Sequence, residues 1–390
     1  MRKELSLSLL LKIAVIPLSA VLSAAWVNQP KQADLMQVSP SPEAVSAAAS
    51  PFNQAEPPSF APSPEIPTEN PEKEHEQKTP SVLSETPTPP PDLCYTPAVE
   101  EDPSIKYLDE PDPIDVDAHT HRSIPLWHSK EYLPYAAHSY MPSIFPYLAE
   151  GEDAKPSVII FPGGAYESVS MDREGTEAAA YLCRELNMNA FVVNYRVNPC
   201  NYRAILSDAL RAVRFVRFYS EQFHADRNQI AVLGFSAGGH LAMMTGEHFD
   251  YGKAGDVIDG ESSRPDAVFL CYPVGSLVEA FTHRRSRNSF LGREDSPENR
   301  IRFSAEKGLR SDMPPVCIVH CKDDRSVSIE NSYAIVNAME AEGLDISYRW
   351  YPKGGHGFGI AGAKWYGIDW PLLMKEWLAE HDFCLSDVKN

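Results

Sequence analysis

Residues 230–239 read IAVLGFSAGG: an apolar run that ends in a serine set between glycines. The next residues, HLAMMTGEH, continue with apolar side chains at helical spacing. Strand, sharp turn and helix in immediate succession is a narrow prescription. The turn needs glycine on either side of the serine because side chains at positions 234 and 238 would collide with neighbouring backbone. Two readings compete at its apex: Ser236 is an activated nucleophile, or it is a small residue at an ordinary strand-to-helix turn.

The surrounding sequence repeats the same alternation. SVIIF (157–161), NAFVVNYR (189–196), QIAVLGF (229–235), DAVFLCYP (266–273), PPVCIVHC (314–321) and ISYRWYP (346–352) read as strands. Between them, helices are expected over 172–187, 202–223, 237–248 and 329–343, with Gly343 closing the last, and a final one over 367–380. Strand followed by helix, repeated, implies right-handed crossovers and a mostly parallel, doubly wound sheet flanked by helices. The span 119–390 suits one large α/β domain.

Ahead of it the composition changes. The 34 prolines of the 390 residues are uneven, and from about Gln37 to Pro113 Pro, Ser, Ala, Thr and Glu dominate. Such a stretch cannot bury enough apolar surface to offset chain entropy, so 28–118 is expected to be a disordered, semi-extended linker. Residues 1–27, MRKELSLSLLLKIAVIPLSAVLSAAWV, have a basic start, an apolar run and small residues at Ser23 and Ala25. They read as an export signal, which if retained would attach the protein to a membrane or envelope. The net charge of -19 argues against nucleic acid as a partner.

A serine nucleophile needs a base, and the base needs an orienting acid. In α/β-hydrolases these follow in the order Ser, Asp or Glu, His. Here HCKDDRSV follows one strand and YPKGGHGFG the next, so both lie on turns at carboxyl ends of strands, where His356 and an aspartate can converge on Ser236. Asp324 is favoured over Asp323, which is left as a solvent-facing turn residue. Hydrolase turns of this kind set the acid four residues after a histidine, here His320, and three before a valine, here Val327. An oxyanion would meet the backbone N–H of Ala237 and one from Gly164 or Ala165 in the PGGAY loop, Pro162 having none. His240, four residues after Ser236, suits packing beneath the turn better than proton transfer.

Two other features carry less. DVDAHTH (115–121) has paired histidines of the kind that open metal-dependent barrels, but lacks the preceding apolar strand and reads as a surface loop. The seven cysteines match no zinc or disulfide framework, and Cys271, Cys317 and Cys321 fall in apolar strands as small core residues.

The segments MPSIFPYLAEGEDAKPSVIIFPGGAY, MDREGTEAAAYL, FVVNYR, SDALRAVRFVR, GFSAGGHLA, FTHRRSRNSFLG, HCKDDRSVSIENS and YPKGGHGFG occur in this order. Together, over about Tyr140 to Glu380, they resemble the secreted α/β-hydrolase esterases related to acetyl xylan esterases, of the xylanase-like and feruloyl-esterase-like type. The resemblance implies a cofactor-free esterase acting on O-acetyl or similar small acyl groups of a polysaccharide or oligosaccharide. It makes Ser236 the nucleophile, Asp324 the acid and His356 the base, and it sets THRRSR, from Thr282, near the mouth of the site. Two departures stand out: Ala165 replaces a third glycine of the oxyanion loop, and Cys321 replaces a glycine after the strand histidine. The remaining alternatives are a carboxylesterase of small esters, a serine peptidase of the same fold, and a wall-binding or adhesion module on a hydrolase scaffold.

Overall fold

The computed structural model describes residues 122–128, 140–251 and 255–385. The export segment, the linker and the DVDAHTH stretch expected from the sequence lie outside the described residues. Within them, no helix is long and apolar enough to cross a membrane.

Eight strands form one sheet: β1 Ile124–Pro125, β2 Ser143–Tyr147, β3 Lys155–Phe161, β4 Asn189–Asn194, β5 Ala225–Phe235, β6 Ala267–Cys271, β7 Val316–Cys321 and β8 Ile346–Tyr351. Their order is β1-β2-β4-β3-β5-β6-β7-β8. The pairs from β4 to β8 are parallel, and β1 and β2 add an antiparallel edge. The sheet is covered on both faces, so the inner stretches of its central strands, VIIF in β3, IAVLGF in β5 and AVFLC in β6, are apolar in unbroken runs rather than at alternate positions. Ile159, Phe161 and Val232 face a core shared with helices Tyr202–Phe218, Ala237–Glu247 and Glu330–Ala341. Val158, Ile160 and Leu233 face the opposite core, with helices Glu177–Leu186 and Trp370–Glu380. The last turn of Glu330–Ala341 closes as expected: Gly343 is left-handed at φ 66°, and Leu344 N–H returns to Met339 O at 2.9 Å.

Several elements differ from the sequence expectation, among them the short helices Arg284–Leu291 and Pro297–Arg302, which no expected span covers. The antiparallel edge escaped it because Pro146 interrupts the run; β1 pairs only with Ser143 and Ile144, so no neighbour on that side needs the missing N–H. Residues Gly359–Tyr366 form a helix that three glycines, at 357, 359 and 362, disguise as loop. The helix expected from 172 begins instead as a π-helical turn, Met171–Thr176. This wide turn packs Gly175 against β4, where an added Cβ would come within 2.8 Å of Val192, and it leaves Glu174 buried.

Candidate active site

Ser236 stands where β5 turns into the helix Ala237–Glu247, with φ 56° and ψ -119°. A non-glycine residue there is strained, and the surroundings hold it: Ser236 N–H donates to Cys271 O at 3.0 Å, and its own carbonyl accepts from Val274 and His240. The flanking glycines have steric causes. A Cβ on Gly234 would lie 2.2 Å from Gly238 O, and one on Gly238 would lie 2.0 Å from Phe161 O.

The carboxyl ends of five adjacent strands converge on this point. The PGGAY loop follows β3, Ser236 follows β5, Tyr272 follows β6, Asp324 follows β7 and His356 follows β8. His356 Nε2 lies 2.8 Å from Ser236 Oγ, and His356 Nδ1 lies 2.6 Å from Asp324 Oδ2. Since an ionised carboxylate can only accept, Nδ1 carries the proton and Nε2 is free to accept from the serine hydroxyl.

Asp324 is saturated with donors. Its Oδ1 accepts the N–H groups of Ser326 and Val327 at 2.8 and 3.0 Å, and its Oδ2 accepts His356 and, at 3.2 Å, His320 Nε2. Burial on its own would raise its pKa, but the hydrogen bonds from His320 and His356 outweigh it and hold the carboxylate well below its ordinary range. His320 is buried, and its Nε2 also faces Val327 O at 3.1 Å. A carbonyl only accepts, so Nε2 is the protonated nitrogen and Nδ1 accepts Ser332 Oγ–H at 2.8 Å. Asp323 is exposed, yet it is more than the solvent-facing turn residue expected: its Oδ1 accepts Gly355 N–H at 2.8 Å, immediately before His356.

His240 does not reach the serine hydroxyl. It is buried beneath the turn, with Nε2 2.7 Å from Phe303 O and Nδ1 2.7 Å from Tyr166 Oη. Burial pushes its pKa down to about 4, so at neutral pH it is an uncharged bridge that donates to Phe303 and accepts from Tyr166.

The PGGAY loop passes beside the serine: an added Cβ on Gly163 would come within 2.9 Å of Ser236 Cβ, and Gly164 and Ala165 follow it in the loop. Ala165 adopts φ 56°, a conformation that favours glycine, which gives a physical meaning to the departure at this position. The neighbouring Gly163 N–H is already engaged, donating to Glu174 Oε2 at 2.8 Å. Glu174 Oε1 in turn accepts Tyr272 Oη–H at 2.9 Å, and the Tyr272 ring packs edge-to-face on His356 with centroids 4.9 Å apart. Burial raises the pKa of Glu174 despite these donors. Glu174 thus braces both the glycine loop and the ring beside His356. Sequence reasoning missed it; the only signal was an acidic side chain directly before a glycine on the helix that follows the PGGAY loop. Tyr195 Oη adds a second brace, donating to Pro162 O at 2.5 Å. Cys321 fits the loop that carries His356, where an added Cβ on Gly354 would come within 2.6 Å of its sulfur.

A mostly parallel sheet wrapped on both faces, with a strained serine after its central strand and an aspartate and histidine on the turns of the last two, is the α/β-hydrolase fold. Residues 146–339 match the BD-FAE family. The crystal structure of an acetyl ester-xyloside bifunctional hydrolase from Caldicellulosiruptor lactoaceticus superposes with a TM-score of 0.64 at 36% identity, covering 68% of this chain and 97% of that one. Endo-1,4-beta-xylanase B of Butyrivibrio fibrisolvens is 32% identical over 251 residues, 62% of this chain and 38% of the relative. An acetylxylan esterase of Xylanibacter ruminicola is 30% identical over 238 residues, 60% of this chain and 44% of the relative. The chain therefore spans less than half the length of these two curated relatives. It belongs to the α/β-hydrolase esterases related to acetyl xylan esterases.

Proposed function

We propose that this protein is a serine esterase that removes acetyl or similarly small acyl groups from a polysaccharide or oligosaccharide. The observation that carries the chemistry is the position of His356, within hydrogen-bond distance of Ser236 through one ring nitrogen and of Asp324 through the other. The carbohydrate ester rests on the relatives named above.

The geometry supports the following sequence. His356 Nε2 takes the proton of Ser236 Oγ as that oxygen bonds to the acyl carbon, and the carbonyl electron pair moves onto oxygen. The resulting oxyanion is met by the N–H groups of Ala237 and of Gly164 or Ala165. As the tetrahedral species collapses, the bond to the sugar oxygen breaks and the protonated His356 returns its proton to that oxygen. Water repeats the cycle on the acyl-enzyme, releasing the carboxylic acid and restoring Ser236. Asp324 stays ionised throughout, keeping the proton of the resting imidazole on Nδ1 and stabilising the imidazolium. A polymeric substrate does not cross a membrane, which agrees with the export expected from residues 1–27.

The test is acetate release from acetylated xylo-oligosaccharides by the full chain beside its Ser236→Ala variant. Release abolished by the substitution in a folded protein is the expected result. Release that survives it would remove Ser236 from the mechanism.

A further inference from the structure

We infer that His283 binds the alcohol side of the ester, its Nε2 hydrogen-bonding a hydroxyl of the sugar that leaves. This rests on the esterase reading above and names a contact within the same site.

His283 occupies the position immediately before the helix Arg284–Leu291, with its side chain free of any capping bond to that helix. That helix is fastened to the loop bearing Gly164 and Ala165. Arg285 forms a two-pronged pair with Glu167, with Nε 2.9 Å from Oε1, and Ser289 Oγ approaches the same carboxylate at 3.4 Å. Glu167 N–H closes the loop by donating to Gly164 O at 3.0 Å. His283 also interacts electrostatically with His356, Asp324 and Glu167. The imidazole thus sits at the helix start that the Arg285–Glu167 pair ties to the loop carrying Gly164 and Ala165.

The ring is held for binding. Its Nδ1 is 2.7 Å from the hydroxyl of Ser286, which is fully buried, while Nε2 meets no partner among the described residues. The side chain is half-buried, and burial first of all, then the charges of His356 and Arg285, lowers its pKa. His283 is thus uncharged near neutral pH and does not oppose the imidazolium that forms on His356. A neutral, oriented and half-buried imidazole nitrogen matches a hydroxyl, which both donates and accepts, better than it matches an anion or a cation. The chemistry closest to the leaving oxygen of a sugar ester is another hydroxyl on the same ring.

The experiment compares kcat/KM of the full chain for acetylated xylo-oligosaccharides and for 4-nitrophenyl acetate, whose alcohol has no neighbouring hydroxyl. His283→Asn keeps a polar atom for Ser286 but none at Nε2; His283→Gln reaches the Nε2 position. The Asn variant is expected to lose roughly tenfold on the sugar ester, the loss of about one hydrogen bond, with the aryl ester changed less than about twofold. The Gln variant is expected to recover part of that loss. Should the Asn variant not fold, Ser286→Ala, which frees the ring, carries the same selective loss. Equal losses on both esters would make His283 structural, and no loss on either would remove it from the site; both overturn the inference. A wild-type protein active only on the aryl ester would overturn the sugar contact while leaving the serine mechanism. One inert toward both would overturn the esterase reading and the contact with it.

Discussion

Asp324 Oδ2 lies 2.6 Å from His356 Nδ1, while its other oxygen is tied to two backbone N–H groups of its own turn. The carboxylate is thus fixed before the histidine meets it, and the histidine's tautomer follows. Asp324→Asn offers an amide where an acceptor is required and invites the wrong tautomer. We expect kcat to fall on the order of 10³- to 10⁴-fold with the fold retained. Asp323→Ala removes only the acceptor for Gly355 N–H, and should cost activity no more than roughly tenfold. Steady-state kinetics on both variants, with circular dichroism, checks the pair; similar losses would mean that the two aspartates share the role.

Glu174 acts at one remove, through Gly163 N–H and Tyr272 Oη. Glu174→Ala would leave both donors buried without an acceptor and loosen the loop that carries Gly164 and Ala165. A misplacement of about an ångström there costs about 10²-fold in kcat. We expect that loss with KM little changed, and a milder one in Glu174→Gln, which can still accept from Gly163. An unchanged kcat in Glu174→Ala would show that the loop holds itself.

Much of this arrangement was legible in the sequence for a simple reason. Strands buried on both faces read as unbroken apolar runs, and Ser236 and Asp324 sit on turns at the ends of such runs, while His356 follows the edge strand ISYRWY, whose aromatic and β-branched residues still mark it as a strand. Glu174 was hidden because an acidic residue on an amphipathic helix ordinarily faces water; only the π-helical turn carries it inward. The helix Gly359–Tyr366 and the strand Ser143–Tyr147 were hidden by residues that usually break those elements, glycines in one and Pro146 in the other. The bracing of Gly355 by Asp323 depends on contact between two loops far apart in sequence, which no local pattern records.

The buried His240 links stability to pH. An unfolded histidine takes up a proton below about pH 6.5, whereas burial keeps folded His240 neutral down to about pH 4. Between those values the unfolded state binds the extra proton, so this residue's contribution to stability is full above the unfolded value and falls as the pH falls. The buried carboxyls of Glu174 and Glu247, whose pKa values are raised, pull in the opposite direction. The readout is therefore a difference: the stability gap between wild type and His240→Gln in urea unfolding should shrink between pH 7 and pH 4.5. A gap independent of pH would contradict a neutral His240.

Gly238→Ala sets a Cβ 2.0 Å from Phe161 O, where the neighbour is backbone of a central strand and cannot swing aside. Urea unfolding should show a loss on the order of 3 kcal/mol, or the variant should fail to accumulate as folded protein. A variant of wild-type stability would mean that the turn at Ser236 is looser than its dihedral angles indicate.

The central claim is that Ser236 is the nucleophile. A fluorophosphonate reacts covalently with an activated serine, and peptide mass spectrometry locates the adduct. The account expects one equivalent per chain, on Ser236, with hydrolysis of 4-nitrophenyl acetate lost in step with labelling. An adduct on another residue with activity lost, or full labelling of Ser236 with activity intact, would contradict it.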